Sequence, residues 1–285
     1  MNNTSPENLN KQELISIIMS VYNCEDTLRE SIDSIIAQTY QKWEFIICND
    51  ASTDRTQAIL EEYASRYPDR FVLIENKENK KLAFSLNRCL ERAKGTYVAR
   101  MDGDDISTPD RLEKEIAFLQ NHLNIDLVGC EMQRFSAESG LADIVTQPEY
   151  VDKYSMRNGP PFCHATILTY KRVYDTLEGY TVEERTNRAQ DYDLWFRFFA
   201  AGFSGYNLQE PLYLVREDMN AIKRRTFKVR WNAFKTTRFG YKLLGFPKSW
   251  LIREFFTMIG KSLVPYRLIY LYRKIQARRH REVAH

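Results

Sequence analysis

From Leu14 to Asp105 the chain alternates short apolar runs with amphipathic segments, and this alternation restricts its fold more than composition does. Apolar runs of strand length separated by segments of helical period are the pattern of β-α-β units, which build a mainly parallel sheet. Leu14 to Val21 reads as a buried first strand, and Leu28, Ile32, Ile35 and Ile36 then share one helical face. Trp43 to Cys48 is a second strand, after which Ser52 or Thr53 caps a helix running to about Tyr67. Phe71 to Ile74 is the third strand, and Leu82, Leu86, Cys89, Leu90 and Ala93 mark the helix after it. A fourth strand begins at Tyr97. Thr108 and Pro109 then start a helix that buries Leu112, Ile116 and Leu119. Ligands of open α/β sheets bind at the carboxyl ends of the strands, so Tyr22 to Glu25, Asp50 and Asp102 to Asp105 are expected to meet in one crevice.

The fourth strand runs into Asp102-Gly103-Asp104-Asp105. Hard oxygen ligands suit Mg²⁺ or Mn²⁺, which are held by one or two carboxylates and completed by diphosphate oxygens of a substrate. Gly103 is expected to let that substrate approach the backbone. An isolated Asp-Gly-Asp is equally an Asx-type turn, so its company matters. Met19-Ser20-Val21-Tyr22-Asn23 ends a strand where a nucleobase can lie against an aromatic ring. Asn49-Asp50-Ala51-Ser52-Thr53-Asp54 offers a carboxylate to a base N–H, and Asn79 to Asn87 is polar and basic beside a helix start.

Beyond Asp126 the pattern loosens. Asn158 to His164 reads as a loop entering a strand at Ala165 to Tyr170. Gln190-Asp191-Tyr192-Asp193 precedes a helix, Leu194 to Ala201, whose positive end favours a carboxylate. Asp191 is therefore either an N-cap or a functional acid. Trp195, Phe196, Phe198 and Phe199 read as core. His164 is either a ligand or a histidine bonded to backbone.

The net charge of +3 hides a division: residues 221–285 carry 17 Lys and Arg against two acids, whereas the first 220 residues carry 24 basic and 36 acidic side chains. This tail is also apolar at helical spacing, through Leu251, Ile252, Phe255, Phe256, Met258 and Ile259, then from Pro265 through Leu268, Leu271, Tyr272 and Ile275. It fits an anionic membrane surface, a cover for the body or a homodimer contact. Nucleic acid is disfavoured, since no recognition motif accompanies the charge and the acidic body repels a polyanion. Five scattered cysteines, a polar N-terminus and no span-length apolar run point to a cytoplasmic protein, soluble or peripheral at the membrane.

Taken in order, these motifs resemble glycosyltransferase family 2, the inverting enzymes of GT-A fold, over roughly Ile15 to Ala201. The resemblance implies a GT-A catalytic domain at 12–220, with a nucleotide-sugar half at 12–110 and an acceptor half at 111–220, followed by the basic helical tail at 221–285. It implies that Val21, Tyr22 and Asp50 meet the uracil of a UDP-sugar, with Asn23, Glu25, Asn79, Lys81, Arg100, Asp102 and Gly103 completing the nucleotide-sugar site. Asp102 and Asp104 would hold Mn²⁺ or Mg²⁺, with His164 as a further ligand, and Asp191 would be the catalytic base. Where family members read Glu-Asp and Asn-x-Gly, this chain has Gln190-Asp191 and Asn79-Lys80-Lys81; Leu86 stands where an Arg is common. The implied activity is transfer of a hexose or N-acetylhexosamine to a saccharide acceptor, lipid diphosphate-linked, on the cytoplasmic face of a bacterial membrane. The alternatives are a sugar nucleotidyltransferase, disfavoured because no glycine-rich loop follows the first strand, and a non-enzymatic protein that binds nucleic acid or membrane through its tail.

Overall fold

The computed structural model describes residues 13–136, 140–217 and 226–263. Its first half is built from β1 (Ile15–Val21), α1 (Leu28–Ile36), β2 (Trp43–Asn49), α2 (Thr56–Arg66), β3 (Phe71–Glu75), α3 (Leu82–Leu90) and β4 (Tyr97–Arg100). There follow β5 (Ile106–Ser107), α4 (Arg111–Asn121), β6 (Leu127–Ser136), β7 (Gly140–Val145), β8 (Tyr150–Val151), β9 (Leu168–Tyr170), α5 (Lys171–Thr176), α6 (Gln190–Ala200), β10 (Gly205–Arg216), α7 (Phe227–Leu243) and α8 (Trp250–Leu263).

The ten strands form one sheet of order β3-β2-β1-β4-β9-β6-β10-β5 among the described residues, with β7 paired to β6 and β8 to β10. The expected parallel arrangement holds from β3 to β4. Beyond β4 the sheet is mixed, because β9 runs antiparallel to both β4 and β6. That insertion joins two parallel parts, since β6 and β10 again run together.

Period-two alternation sends β1 to two cores. Ile15, Ile17, Met19 and Val21 pack with Leu28, Ile32 and Ile35 of α1 and Leu112, Ile116 and Leu119 of α4. Ile18 packs on the other side with Leu86 and Cys89 of α3 and Trp195, Phe196 and Phe198 of α6. The aromatic run of α6 is therefore core.

Two helix starts move because tertiary hydrogen bonds take the expected capping groups. Ser52 Oγ accepts from Asn23 N–H and Thr53 Oγ1 donates to Asn23 Oδ1, so neither side chain caps α2, whose N-cap is Arg55. Thr108 Oγ1 donates to Asp110 Oδ1 and is held at β10 by Leu212 O, which delays α4 to Arg111. A 3-10 turn at His164–Thr166 delays β9. Helix α6 starts earlier than expected, and Asp191 falls inside its first turn behind Ala189 at the N-cap.

The basic tail is not wholly an appendage. Tyr241 of α7 and Phe246 belong to the second core, beside α6. The helix expected from Pro265, with its stripe to Ile275, lies outside the described residues. No helix among the described residues is long and apolar enough to cross a membrane.

Candidate active site

The carboxyl ends of β1, β2 and β4 bring three segments together. At the end of β1, Val21 is buried and its carbonyl accepts from Asp50 N–H, while Tyr22 is half exposed. Asn23 adopts φ 52 and ties the next loop to itself through Ser52 and Thr53. Glu25 does the same, its Oε2 accepting from Arg55 N and Nε at 3.0 and 3.1 Å. Asn23 and Glu25 thus brace two loops.

Asp50 is almost fully buried. Its Oδ1 accepts from Asn76 Nδ2 and Lys80 N–H at 2.7 and 2.8 Å, and its Oδ2 accepts from Lys81 N–H at 2.8 Å. The carboxylate organises the segment before α3, and Oδ2 keeps acceptor capacity beyond one donor. In that segment Asn79 Oδ1 is buried with no hydrogen-bond partner, an acceptor whose cost a ligand donor would relieve. Lys81, at the N-cap of α3, has φ 73 and ψ 165, a region populated almost solely by glycine. The backbone has kept a glycine's conformation at a position occupied by lysine.

The three carboxylates after β4 divide their work. Asp102 is about one-third exposed; its Oδ1 pairs with Arg100 Nη2, and its N–H donates to Tyr213 Oη at 3.1 Å. Asp104 is exposed, and its carboxyl is raised above the usual range by partial desolvation in the recess and by the Asp102 charge. Asp105 is buried, and its Oδ1 accepts from Arg216 N–H at 2.9 Å, which ties the loop to β10. Gly103 is small for packing: a Cβ there would lie 2.8 Å from Val21 Cγ1, with Cys24 Sγ at 3.6 Å. The missing side chain thus serves the contact with β1.

Two accessible carboxylates that repel one another fit a divalent cation. Among the described residues no three His, Cys, Asp or Glu side chains converge as a metal cage. Asp102 and Asp104 are the carboxylates that could hold a divalent cation here, as Mg²⁺ is held by one or two carboxylates with substrate oxygens. His164 is not gathered with them into a three-ligand group. Its Nε2 lies 2.7 Å from Tyr180 Oη, and burial, then the Arg100 charge, lowers its pKa well below the ordinary value.

Arg100 is the electrostatic centre of the region. It is fully buried and reaches Met101 O and Asp102; burial opposes its charge, and the Asp102 carboxylate more than offsets this, raising its pKa above the ordinary value. Asp191, in the first turn of α6, has a raised pKa: desolvation raises it, backbone N–H groups of the helix start oppose this, and the Asp102 charge adds to the rise.

The model of Glycosyl transferase family 2 matches residues 16–175. The chain belongs to this family. EpsE of Bacillus subtilis (strain 168), a glycosyltransferase by name, is 52% identical over 219 residues, covering 77% of this chain and 78% of EpsE. WfaP of Escherichia coli, named as a UDP-Glc:alpha-D-GlcNAc-diphosphoundecaprenol beta-1,3-glucosyltransferase, is 38% identical over 218 residues, 76% of this chain and 82% of its own. Among solved structures, S. aureus TarS in complex with UDP-GlcNAc aligns with TM-score 0.67 at 18% identity, over 80% of this chain and 66% of that one. The mannosyltransferase PcManGT of Pyrobaculum calidifontis, in complex with GDP-Man and Mn²⁺, aligns at 0.61 and 18%, over 94% and 81%. These likenesses show the α/β GT-A fold. The protein is a glycosyltransferase, which removes the reasons for the nucleotidyltransferase and non-enzymatic alternatives.

Several groups that shape this glycosyltransferase's recess lie outside the motifs. Arg111 donates to Arg100 O and Ala165 O beneath it, and Tyr213 supports Asp102 from β10. Asp193 is buried and receives Thr181 Oγ1, Arg185 Nη1 and Arg197 Nε, anchoring the loop ahead of Asp191. The Gln190 to Asp193 segment is visible as a motif, but partners of Asp193 set 12, 8 and 4 residues away, Thr181, Arg185 and Arg197, carry no local signal.

Proposed function

We propose that the glycosyltransferase moves a hexose or N-acetylhexosamine, with inversion, from a UDP-sugar to a hydroxyl of a lipid diphosphate-linked saccharide. The pathway in this reading is bacterial surface polysaccharide assembly, at the cytoplasmic face of the membrane where such an acceptor is presented. Support for donor and acceptor comes from what the names of WfaP and the TarS complex state of those proteins.

One observation carries the chemistry: Asp191 lies in the first turn of α6, the helix packed on β1 and β4 through the second core, and Asp102 follows β4 paired with buried Arg100. Asp191 would remove the proton of the attacking hydroxyl, and a carboxyl raised towards neutrality is better matched to that task than an ordinary one. Asp102 and Asp104 would hold Mn²⁺ or Mg²⁺, which when bound supplies positive charge for the departing diphosphate. Arg100 acts through Asp102, fixing its carboxylate and adding permanent positive potential behind it. Tyr22 is the exposed ring on which the base can lie, Asp50 Oδ2 and Asn79 Oδ1 offer acceptors to the nucleotide, and Lys81 offers an amine to the diphosphate.

Calorimetric titration with UDP-glucose, UDP-galactose and their N-acetyl forms, with Mn²⁺ and then with chelator, tests the donor. Asp104→Asn is expected to lose metal-dependent binding. Asp191→Asn is expected to keep binding and lose turnover by about 10²–10⁴-fold. Wild-type turnover in Asp191→Asn would overturn the assignment of the base.

A further inference from the structure

Helix α7 is packed the opposite way round from an ordinary surface helix. The residues it buries against the body are Asn232, Thr236, Thr237, Gly240 and Tyr241, mostly small or polar. At 3.6 residues per turn, Phe227, Trp231, Phe234, Arg238 and Lys242 share the opposite face. Phe227 is 57% exposed and Trp231 37%, and on α8 Ile252 and Phe256 are 60% and 67% exposed.

These rings are continuous. Phe227 stacks on Trp231 at 6.4 Å between centroids, Trp231 lies 5.6 Å from Phe234, Phe234 meets Phe255 edge-on at 5.6 Å, and Phe255 contacts Phe256 at 5.9 Å. An aromatic chain thus crosses from one helix to the next on the outside of the protein. The charge on these helices is mostly of one sign: residues 226–263 contain eight Lys and Arg against the single acid Glu254, and the body adds Glu184, paired with Lys228. Lys235, Arg238, Lys242 and Arg253 are exposed beside the rings.

We infer that the outer face of α7 and α8 is a docking surface for an anionic lipid leaflet, with the aromatic chain entering the headgroup boundary and the basic side chains meeting lipid phosphates. Aromatic rings on one side with Lys and Arg around them are what an interfacial helix requires. A solvated helix would carry its apolar side inward, and a nucleic acid would not call for so much exposed apolar ring. The opposite face of α7 is seated closely on α6: a Cβ at Gly240 would lie 2.1 Å from the Phe196 ring, and Asn232 and Thr236 donate to Glu184 O and Arg185 O. Docking therefore holds the helix that carries Asp191 at a set distance from the leaflet. The catalytic use of that placement rests on the lipid-linked acceptor proposed above, whereas docking itself does not.

Flotation of the full-length protein, without donor or acceptor, with vesicles of phosphatidylcholine and with vesicles containing about one-quarter phosphatidylglycerol isolates the docking step. The wild type is expected to float with the anionic vesicles alone and to be released by salt. Combined Trp231→Ser and Phe256→Ser should lower the partition constant at least tenfold, and each of Lys235→Glu and Arg238→Glu about fivefold or more. Both substituted rings are exposed, so unchanged thermal unfolding checks that the variants fold. Unchanged binding in the aromatic variant would overturn the assignment to this face. No flotation would overturn it also, and a concentration-dependent dimer abolished by the same substitutions would then assign the face to a second copy of the chain.

Discussion

Lys81 offers a test in which backbone and side chain can be separated. Its φ of 73 and ψ of 165 belong to a region that costs a residue with a Cβ about 1–3 kcal/mol. The conformation is imposed from outside, because Lys81 N–H must reach Asp50 Oδ2 at 2.8 Å for α3 to start where it does. Lys81→Gly removes the strain but gives the unfolded chain more freedom, an offset of about 0.5–1 kcal/mol. The net gain is on the order of 1 kcal/mol, or about 2–4 °C in Tm if the chain behaves as a domain of ordinary size. Lys81→Ala keeps the strain and removes the amine, so its Tm should match the wild type. If the amine meets the diphosphate, both variants should lose UDP-sugar affinity equally, by about tenfold for one charge-assisted hydrogen bond. Differential scanning calorimetry and donor titration read the two effects independently. A Tm for Lys81→Gly at or below that of Lys81→Ala would refute the strain argument, and unaltered donor affinity would remove Lys81 from the site.

Two further substitutions probe the floor of the recess. Glu115 is fully buried 3.7 Å from Arg111 Nε, and burial pushes its carboxyl up to about 8 despite the arginine charge. Its folded pKa lies above the ordinary value of 4.5, so its contribution is fully present below that pH and is lost as pH rises towards 8. Wild-type stability should therefore fall between pH 5 and 8 by up to a few kcal/mol on this account, and Glu115→Gln should flatten the profile in urea titrations; parallel profiles would contradict the assignment. Gly103→Ala places a Cβ 2.8 Å from Val21 and should cost about 1–3 kcal/mol, with a larger loss of metal-dependent donor binding than of stability because Asp102 and Asp104 shift together. Donor binding equal to wild type would show that the loop absorbs the methyl group.

The β-α-β half was legible because its signals are local. Alternating apolar runs mark β1 to β4, helical spacing marks α1 and α3, and motif residues fall where strands end. What was hidden depends on partners far away in the chain. Nothing near Thr108 shows that its hydroxyl will be held at Leu212 O, so the start of α4 is displaced. Nothing in Leu168 to Tyr170 shows that this short strand will lie antiparallel between β4 and β6 and turn a parallel sheet into a mixed one.

The same holds for the site. By residue type Asp102, Asp104 and Asp105 are equivalent and only the family resemblance sets Asp105 apart; the physical reason lies in the fold, which turns Asp105 inward to Arg216 N–H while leaving the other two accessible. Arg100 precedes an acidic turn in the sequence, and only the fold shows that Ile167 O accepts from its backbone N–H and that its side chain is fully buried. By itself the sequence determined which residues sit at strand ends, because hydrophobic period and turn chemistry act over a few residues. Tertiary structure alone decided which of those residues keep an open carboxylate, and which face of α7 meets the body, because burial and long-range hydrogen bonds exist only once distant segments pack.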